Sequence, residues 1–226
     1  MSIALRIIPL LIGYLFGSIP TGYLYAKANG VDIRRHGSGN IGMTNTMRTL
    51  GVKAGVITLA GDFGKAVIAI ALCMLLFHQQ AGDWLPVVKL YAGLGAVLGH
   101  NFSLFLKFHG GKAIATSAGV MCMFAPFELP ITVGAFLLIV ILTHIVSIGS
   151  IVGVSTFVIQ TIIFGQLGFF APMTKEALIE CYILTGIISV MGIVRHKENI
   201  KRLMRGEEKK FTLGKKEEAI KEEKNG

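Results

Sequence analysis

The sequence predicts an all-α integral membrane protein: a polytopic bundle of about seven transmembrane helices, with the N-terminus outside and the C-terminus cytoplasmic. Three observations lead there. Hydrophobic residues make up 53% of the 226-residue chain and charged residues only 15%, against about 25% charge in a soluble domain. The apolar residues come in long runs, without the alternation of a water-facing surface. Lys and Arg gather in a few polar stretches and near the C-terminus. Together these exclude a soluble globular enzyme, a disordered chain and a nucleic-acid-binding domain. The net charge of +9 does not call for nucleic acid, because Arg195–Gly226 holds 11 of the 22 Lys+Arg and 7 of the 13 Asp+Glu and so supplies +4 by itself. That is the cytoplasmic positive charge of a membrane protein.

Seven apolar segments follow in order, at about 3–26, 54–77, 85–106, 113–128, 130–148, 151–171 and 177–194. A span needs about 20 apolar residues. The fourth and seventh are short, so five or six spans also fit. Arg6 followed by an apolar run has the look of a signal peptide, but Gly17-Ser18-Ile19-Pro20 lacks an A-x-A cleavage site and the segment reads as a retained helix. Lys27, Arg34, Arg35, Arg48 and Lys53 follow the first segment, Lys107 and Lys112 the third, and the C-terminal cluster the seventh. The positive-inside rule puts these on the cytoplasmic side. Residues 1–206 form the transmembrane domain. Residues 207–226 read as a charged cytoplasmic tail, a solvated helix or disorder. Cys73, Cys122 and Cys181 lie far apart in apolar runs and read as small core or lipid-facing residues.

This topology puts every polar, Gly-rich stretch at the cytoplasmic helix ends. Gly37-Ser38-Gly39-Asn40-Ile41-Gly42-Met43-Thr44-Asn45, between Arg34-Arg35 and Arg48, offers close backbone approach, hydroxyls and amides. Successive N–H groups with a guanidinium suit phosphate. Taken alone, the stretch fits a flexible loop equally well. Gly99-His100-Asn101 precedes Gly110-Gly111-Lys112, which opens a helix containing Thr116 and so offers N–H groups and a cation to one anion. It is not a Walker A loop, since Leu106 and Ala113 stand at the glycine and hydroxyl positions. Ser147 and Ser150 mark a third stretch. In Arg195-His196-Lys197-Glu198-Asn199, His196 and Asn199 share a helix face, and His196 suits a base or a neutral donor. A basic helix end resting on anionic lipid accounts for the same residues.

Asp62 and Lys65, three apart inside a span, pair as a structural link or support the site. His78-Gln79-Gln80-Ala81-Gly82-Asp83 matches the H-x-x-x-x-D pattern of the common glycerolipid acyltransferases, but it lies in an outside loop without cations and reads as chance. No G-x-S-x-G elbow occurs. Few carboxylates lie on the cytoplasmic side before residue 195, so no metal and no cofactor are expected.

The stretches Gly17–Pro20, Asp32–Asn45, Gly99–Ser117 and Arg195–Leu203 resemble the bacterial acyl-phosphate:glycerol-3-phosphate acyltransferase (PlsY) family, from about residue 13 to Gly206. The order and spacing of three separate motifs carry the resemblance. Departures are Met43 where Ala is expected, Ser103 for Pro, His109 for Lys and Ala113 for Gly. The resemblance implies transfer of a fatty acyl group from acyl phosphate to the 1-hydroxyl of sn-glycerol 3-phosphate, giving lysophosphatidic acid and phosphate at the inner membrane's cytoplasmic face. It also implies a separate acyl-phosphate-forming enzyme as functional partner, beside membrane lipid. Carried onto this chain, His196, Asn199, Lys112 and Arg48 are the catalytic candidates. Ser38, Gly39, Asn40, Thr44, Asn45, His100, Gly110, Gly111, Thr116, Ser147 and Ser150 are the substrate-binding candidates. A transporter or flippase for an anionic lipid or phosphate compound is the alternative, though it would more often show repeats and a midplane site. A scaffold acting through its basic tail leaves the Gly-rich loops without a purpose.

Overall fold

The structure, a computed structural model, describes residues 1–211. The expected tail beyond residue 211 lies outside the described residues. Regular structure among the described residues is helical throughout. Helices α1 (Ala4–Gly17) and α2 (Thr21–Ala28) share the first apolar segment and are separated at Ser18–Pro20. Pro20 immediately precedes α2, where its missing N–H and fixed φ cost little. The polar loop then leads into the short α3 (Met43–Leu50). Next come α4 (Val52–Ala81), a tight turn at Gly82–Trp84, and α5 (Leu85–Asn101), which packs back on α4 and along α1. They are followed by α6 (Ile114–Phe124), α7 (Leu129–Thr143), α8 (Val146–Gln166), α9 (Lys175–Val194) and the short α10 (Lys197–Met204).

Each of the seven apolar segments thus carries a helix. Four stretches, 4–28, 52–106, 146–166 and 175–194, are long and apolar enough to cross a membrane, and 52–106 contains both α4 and α5. The shorter apolar helices are α6, in the fourth segment as expected, and α7, in the fifth, whereas the seventh carries the 20-residue α9. The seventh gains its length at the start, where the Thr174 hydroxyl accepts from Ala177 N and caps α9 three residues before the apolar run.

Small residues bring α1 and α5 together. A Cβ on Gly13 would strike the Ala92 carbonyl, and one on Gly17 the Ala96 carbonyl. Reciprocally, Gly95 faces the Leu10 carbonyl and Gly99 the Tyr14 carbonyl. This is small-xxx-small packing, in which backbone contact replaces side-chain interdigitation. The seam extends at one end into a polar knot: Ser103 Oγ donates to Ser18 O at 2.5 Å and Tyr14 OH to Phe102 O at 2.9 Å. Ser103, the departure from an expected Pro, supplies that bond. At the other end Arg6 makes a two-armed ion pair with Glu180, 2.7 Å on each arm, and Tyr91 OH donates to the same carboxylate. The start of α1, the upper part of α5 and the start of α9 therefore share one end. His78, in the last turn of α4, and Asp83, in the α4–α5 turn, lie at this same end, where Gln80, Ala81 and Trp84 lie beside Met1 and Leu5.

Ala113 stands immediately before α6 with φ 61 and ψ 20, the left-handed region, and is 2% exposed. Glycine adopts that conformation freely, and an alanine held there is strained by about 1–2 kcal/mol. Ala113→Gly is therefore expected to raise stability by about 1 kcal/mol, after the extra freedom that glycine has in the unfolded chain is discounted. Thermal unfolding in detergent reads this directly, and an unchanged or lower Tm would show that the surroundings have relaxed the strain.

Candidate active site

The polar stretches meet at the end opposite Arg6. Lys112 Nζ donates to Asn199 Oδ1 at 2.5 Å. Asn199 Nδ2 in turn donates to Glu208 Oε1 at 2.5 Å, and Ser147 Oγ donates to the same oxygen at 2.8 Å. Arg202 Nε donates to Glu208 Oε2 at 2.7 Å. Lys112 lies just before α6, Ser147 in the first turn of α8, and Asn199 in the first turn of α10. Three helix N-termini thus converge on one patch. Their unpaired N–H groups and dipoles favour negative charge there.

Electrostatics at the patch follow from burial among cations. Burial lowers the Lys112 pKa to about 8, with Glu208 opposing and Arg202 and Arg195 adding to the fall. His196 is 2% exposed. Burial, then the nearby Lys112 charge, lower its pKa to about 4 against the Gly192 hydrogen bond. Its Nδ1 lies 2.7 Å from Gly192 O, so Nδ1 carries the proton and Nε2 the lone pair. Burial pushes the Glu208 carboxyl up, but the bonds from Asn199, Arg202 and Ser147 outweigh it and hold it below the ordinary carboxylate value.

The Gly110–Gly111 segment is held from two sides. Gly111 N donates to His100 O at 3.1 Å. Arg195 spans the pair, with Nε 3.0 Å from Gly111 O and an Nη 2.9 Å from Gly110 O. Its guanidinium also lies over Phe102. Side chains are excluded at both glycines: a Cβ on Gly110 would meet the His100 carbonyl, and one on Gly111 the His100 ring.

The first loop lies beside this group, because Ile33 and Ile41 pack with Leu106 and Ala26 in one small core. Gly37 and Gly39 take φ of 62 and 70, the conformation that demands glycine. Asn45, a substrate-binding candidate, is 2% exposed and uses its whole amide on the loop. Its Oδ1 accepts from Ser38 N at 2.8 Å, and its Nδ2 donates to His36 O at 3.0 Å. It shapes the loop and does not face a ligand. Asn40 Oδ1 likewise accepts from Gly42 N. The Ser38 side chain is exposed, while Thr44 and Arg48 are half-buried in α3. Arg48 makes no ion pair among the described residues.

Three further candidates lie beneath the surface. His100 is 4% exposed and Thr116 fully buried, their side chains 3.3 Å apart. They form the floor under Gly111, with the Nε2 edge of the His100 ring turned toward the loop. Ser150 is 4% exposed and donates to Val146 O, so it supports the first turn of α8 behind Ser147. Glu208 lies just beyond the expected boundary at residue 206. The Lys/Glu runs hide it, yet its side chain is only 7% exposed and holds three site residues. In sequence Arg195 is one member of a basic cluster, and its bond to two glycine carbonyls carries no sequence signal.

The architecture defines a class: a helical membrane protein whose described residues gather Lys112, Arg195, Arg202 and three helix N-termini at one end of the bundle. Comparison with known proteins sharpens it. The chain belongs to the glycerol-3-phosphate acyltransferase family, whose profile it matches over residues 7–206. It is 42% identical over 211 residues to the glycerol-3-phosphate acyltransferase of Bacillus subtilis, covering 93% of this chain and 98% of that one. It is 40% identical to that of Trichlorobacter lovleyi over 198 residues, 88% and 93% of the two chains. Among solved structures it resembles PlsY, an integral membrane glycerol 3-phosphate acyltransferase, in its glycerol 3-phosphate form. That match has a TM-score of 0.78 and 32% identity, over 92% of this chain and 96% of the other. The lysophosphatidic acid form gives 0.75 and 33%.

Proposed function

We propose that this protein transfers a fatty acyl group from acyl phosphate to the 1-hydroxyl of sn-glycerol 3-phosphate, releasing lysophosphatidic acid and inorganic phosphate. Residues 1–206, with Glu208, form the acyltransferase domain. It spans the bacterial inner membrane about seven times and faces its site to the cytoplasm. The observation that carries this reading is the Lys112–Asn199 contact at three converging helix N-termini, with neutral His196 beside it.

Both substrates carry phosphate, and the patch supplies Lys112, Arg195 and Arg202 against one carboxylate, Glu208. Lys112 and Arg48 take up phosphate charge. Ser38, Gly39, Thr44 and Ser147 line the path of the acyl-phosphate head. An acyl phosphate is a mixed anhydride with a good leaving group, so the enzyme's task is to hold two repelling anions together and stabilise the oxyanion. The 1-hydroxyl oxygen attacks the carbonyl carbon. The carbon–oxygen bond to phosphorus breaks, and its electron pair leaves with phosphate. The hydroxyl proton passes to a phosphate oxygen. A phosphate monoester takes its second proton near pH 6, whereas His196 is held near 4, so phosphate is the stronger base. His196 Nε2 instead accepts from and orients the attacking hydroxyl.

Asp62 and Lys65, the ionisable pair inside α4, are where a transporter would be expected to show a midplane site. That pair is closed on itself and on His100 at the site end of the bundle, and nothing in its geometry asks for transport.

The test is phosphate release by purified protein in lipid, with glycerol 3-phosphate and either palmitoyl phosphate or palmitoyl-CoA. Release with palmitoyl phosphate alone, matched by lysophosphatidic acid, is the expected result. Activity with the CoA ester would overturn the donor assignment, and folded protein inactive with both would restore the transporter reading.

A further inference from the structure

A buried chain of contacts runs beneath the Gly110–Gly111 loop. Lys65 and Asp62, on α4, are 5% and 2% exposed. Lys65 Nζ lies 2.9 Å from Asp62 Oδ1, 3.0 Å from Ile19 O and 2.8 Å from His100 Nδ1. An ammonium has three protons and no lone pair. Its three contacts are all satisfied only when His100 Nδ1 is unprotonated and accepts. The competing acceptor, Asp62 Oδ1, is 3.5 Å from Nδ1, beyond an ordinary N–H···O bond. The Thr116 hydroxyl, 3.3 Å away, is the longer and weaker contact to the same nitrogen. The one proton of a neutral imidazole then sits on Nε2.

Nε2 is the ring atom that faces the loop, since a Cβ on Gly111 would strike it first. Among the described residues it has no hydrogen-bond partner, and it is not one of the fully buried orphaned atoms. We propose that Lys65, held by Asp62, is a positioning residue: it fixes His100 as the Nε2–H tautomer and so aims a hydrogen-bond donor at the Gly110–Gly111–Lys112 loop, where a phosphate oxygen of the substrate accepts it. The identity of that ligand rests on the function proposed above; the tautomer does not.

The experiment is 15N NMR of the full-length, histidine-labelled protein in lipid bilayers, with His100 assigned by comparison with His100→Gln. The wild type is expected to show a neutral ring protonated on Nε2, and added inorganic phosphate or glycerol 3-phosphate should shift the Nε2 resonance more than that of Nδ1. In Lys65→Met the proton should move to Nδ1, with Asp62, released from the lysine, closing in to accept the hydrogen bond. KM for glycerol 3-phosphate should then rise about tenfold, the loss of one hydrogen bond to a charged group, with kcat within about twofold. Lys65→Arg should keep both the tautomer and KM. A wild-type ring protonated on Nδ1, or a Lys65→Met protein with tautomer or KM unchanged, overturns the proposal. If Lys65→Met does not fold, the wild-type spectrum and Lys65→Arg decide it. An Nε2–H ring that responds to phosphate in a protein inactive with every acyl donor would overturn the acyltransfer reading and support this one.

Discussion

Glu208→Ala is expected to lower stability by about 2 kcal/mol, the scale of losing hydrogen bonds to a charged group at a half-buried site, and to cut kcat/KM about a hundredfold through misplacement of the reacting groups. One carboxylate holds Ser147 on α8, Asn199 on α10 and Arg202, so its loss frees three side chains together. Arg202 would be left half-buried without its partner. Glu208→Gln keeps the shape and one acceptor oxygen, but turns an amide toward Arg202 or Asn199, and should fall between wild type and Ala. Thermal unfolding and steady-state kinetics on the three proteins check this. A Glu208→Ala protein as stable and active as wild type would show that the clamp is incidental.

Lys112→Met should cost about a thousandfold in kcat/KM, the scale of removing one charged group that stabilises developing negative charge. Little stability should be lost, because Asn199 remains tied to Glu208. The pH dependence gives the sharper reading. Burial among cations puts the Lys112 pKa at about 8. A dianion binds the protonated lysine, so binding weakens when the proton leaves. KM for glycerol 3-phosphate should be flat from pH 7 to about 8 and then rise about tenfold per pH unit. The stability link has the opposite direction. The folded protein holds this proton less firmly than the unfolded chain, so the Lys112 contribution to stability grows as pH rises from about 8 toward the unfolded value of about 10.4. In Lys112→Met the break in KM should vanish. In Glu208→Ala, where the one opposing negative charge is gone, it should move below 8. A wild-type KM that stays flat to pH 10 would remove Lys112 from phosphate binding.

Much of this site was legible because its residues are typed by chemistry. Lys112, Ser147, His196 and Asn199 stand out as polar or charged side chains at the ends of apolar runs, and the fold brings them to one patch. The all-helical character was legible for the same reason, since long apolar runs leave the backbone no other way to satisfy its polar groups. What stayed hidden depends on direction. Asn45 and Ser38 read alike in sequence, but only coordinates reveal that the amide of one is consumed by the backbone of the other. Glu208 sits among Glu207, Lys209 and Lys210, and composition averages over it. Ala113 shows the converse: a departure visible in the sequence acquires its physical meaning only from a positive φ.

The glycine seam between α1 and α5 has a consequence for biosynthesis. Helices leave the ribosome in chain order, yet the carbonyl-lined face of α5 that receives Gly13 and Gly17 is made only after α2, α3 and α4. Until then α1 must wait in the bilayer with small residues facing lipid, where nothing packs closely against them. The order of synthesis is therefore not the order of assembly. A chain halted before α5 holds the first Gly-rich loop but lacks the helix that carries His100 and leads into Lys112, so no unfinished product can gather the anion site.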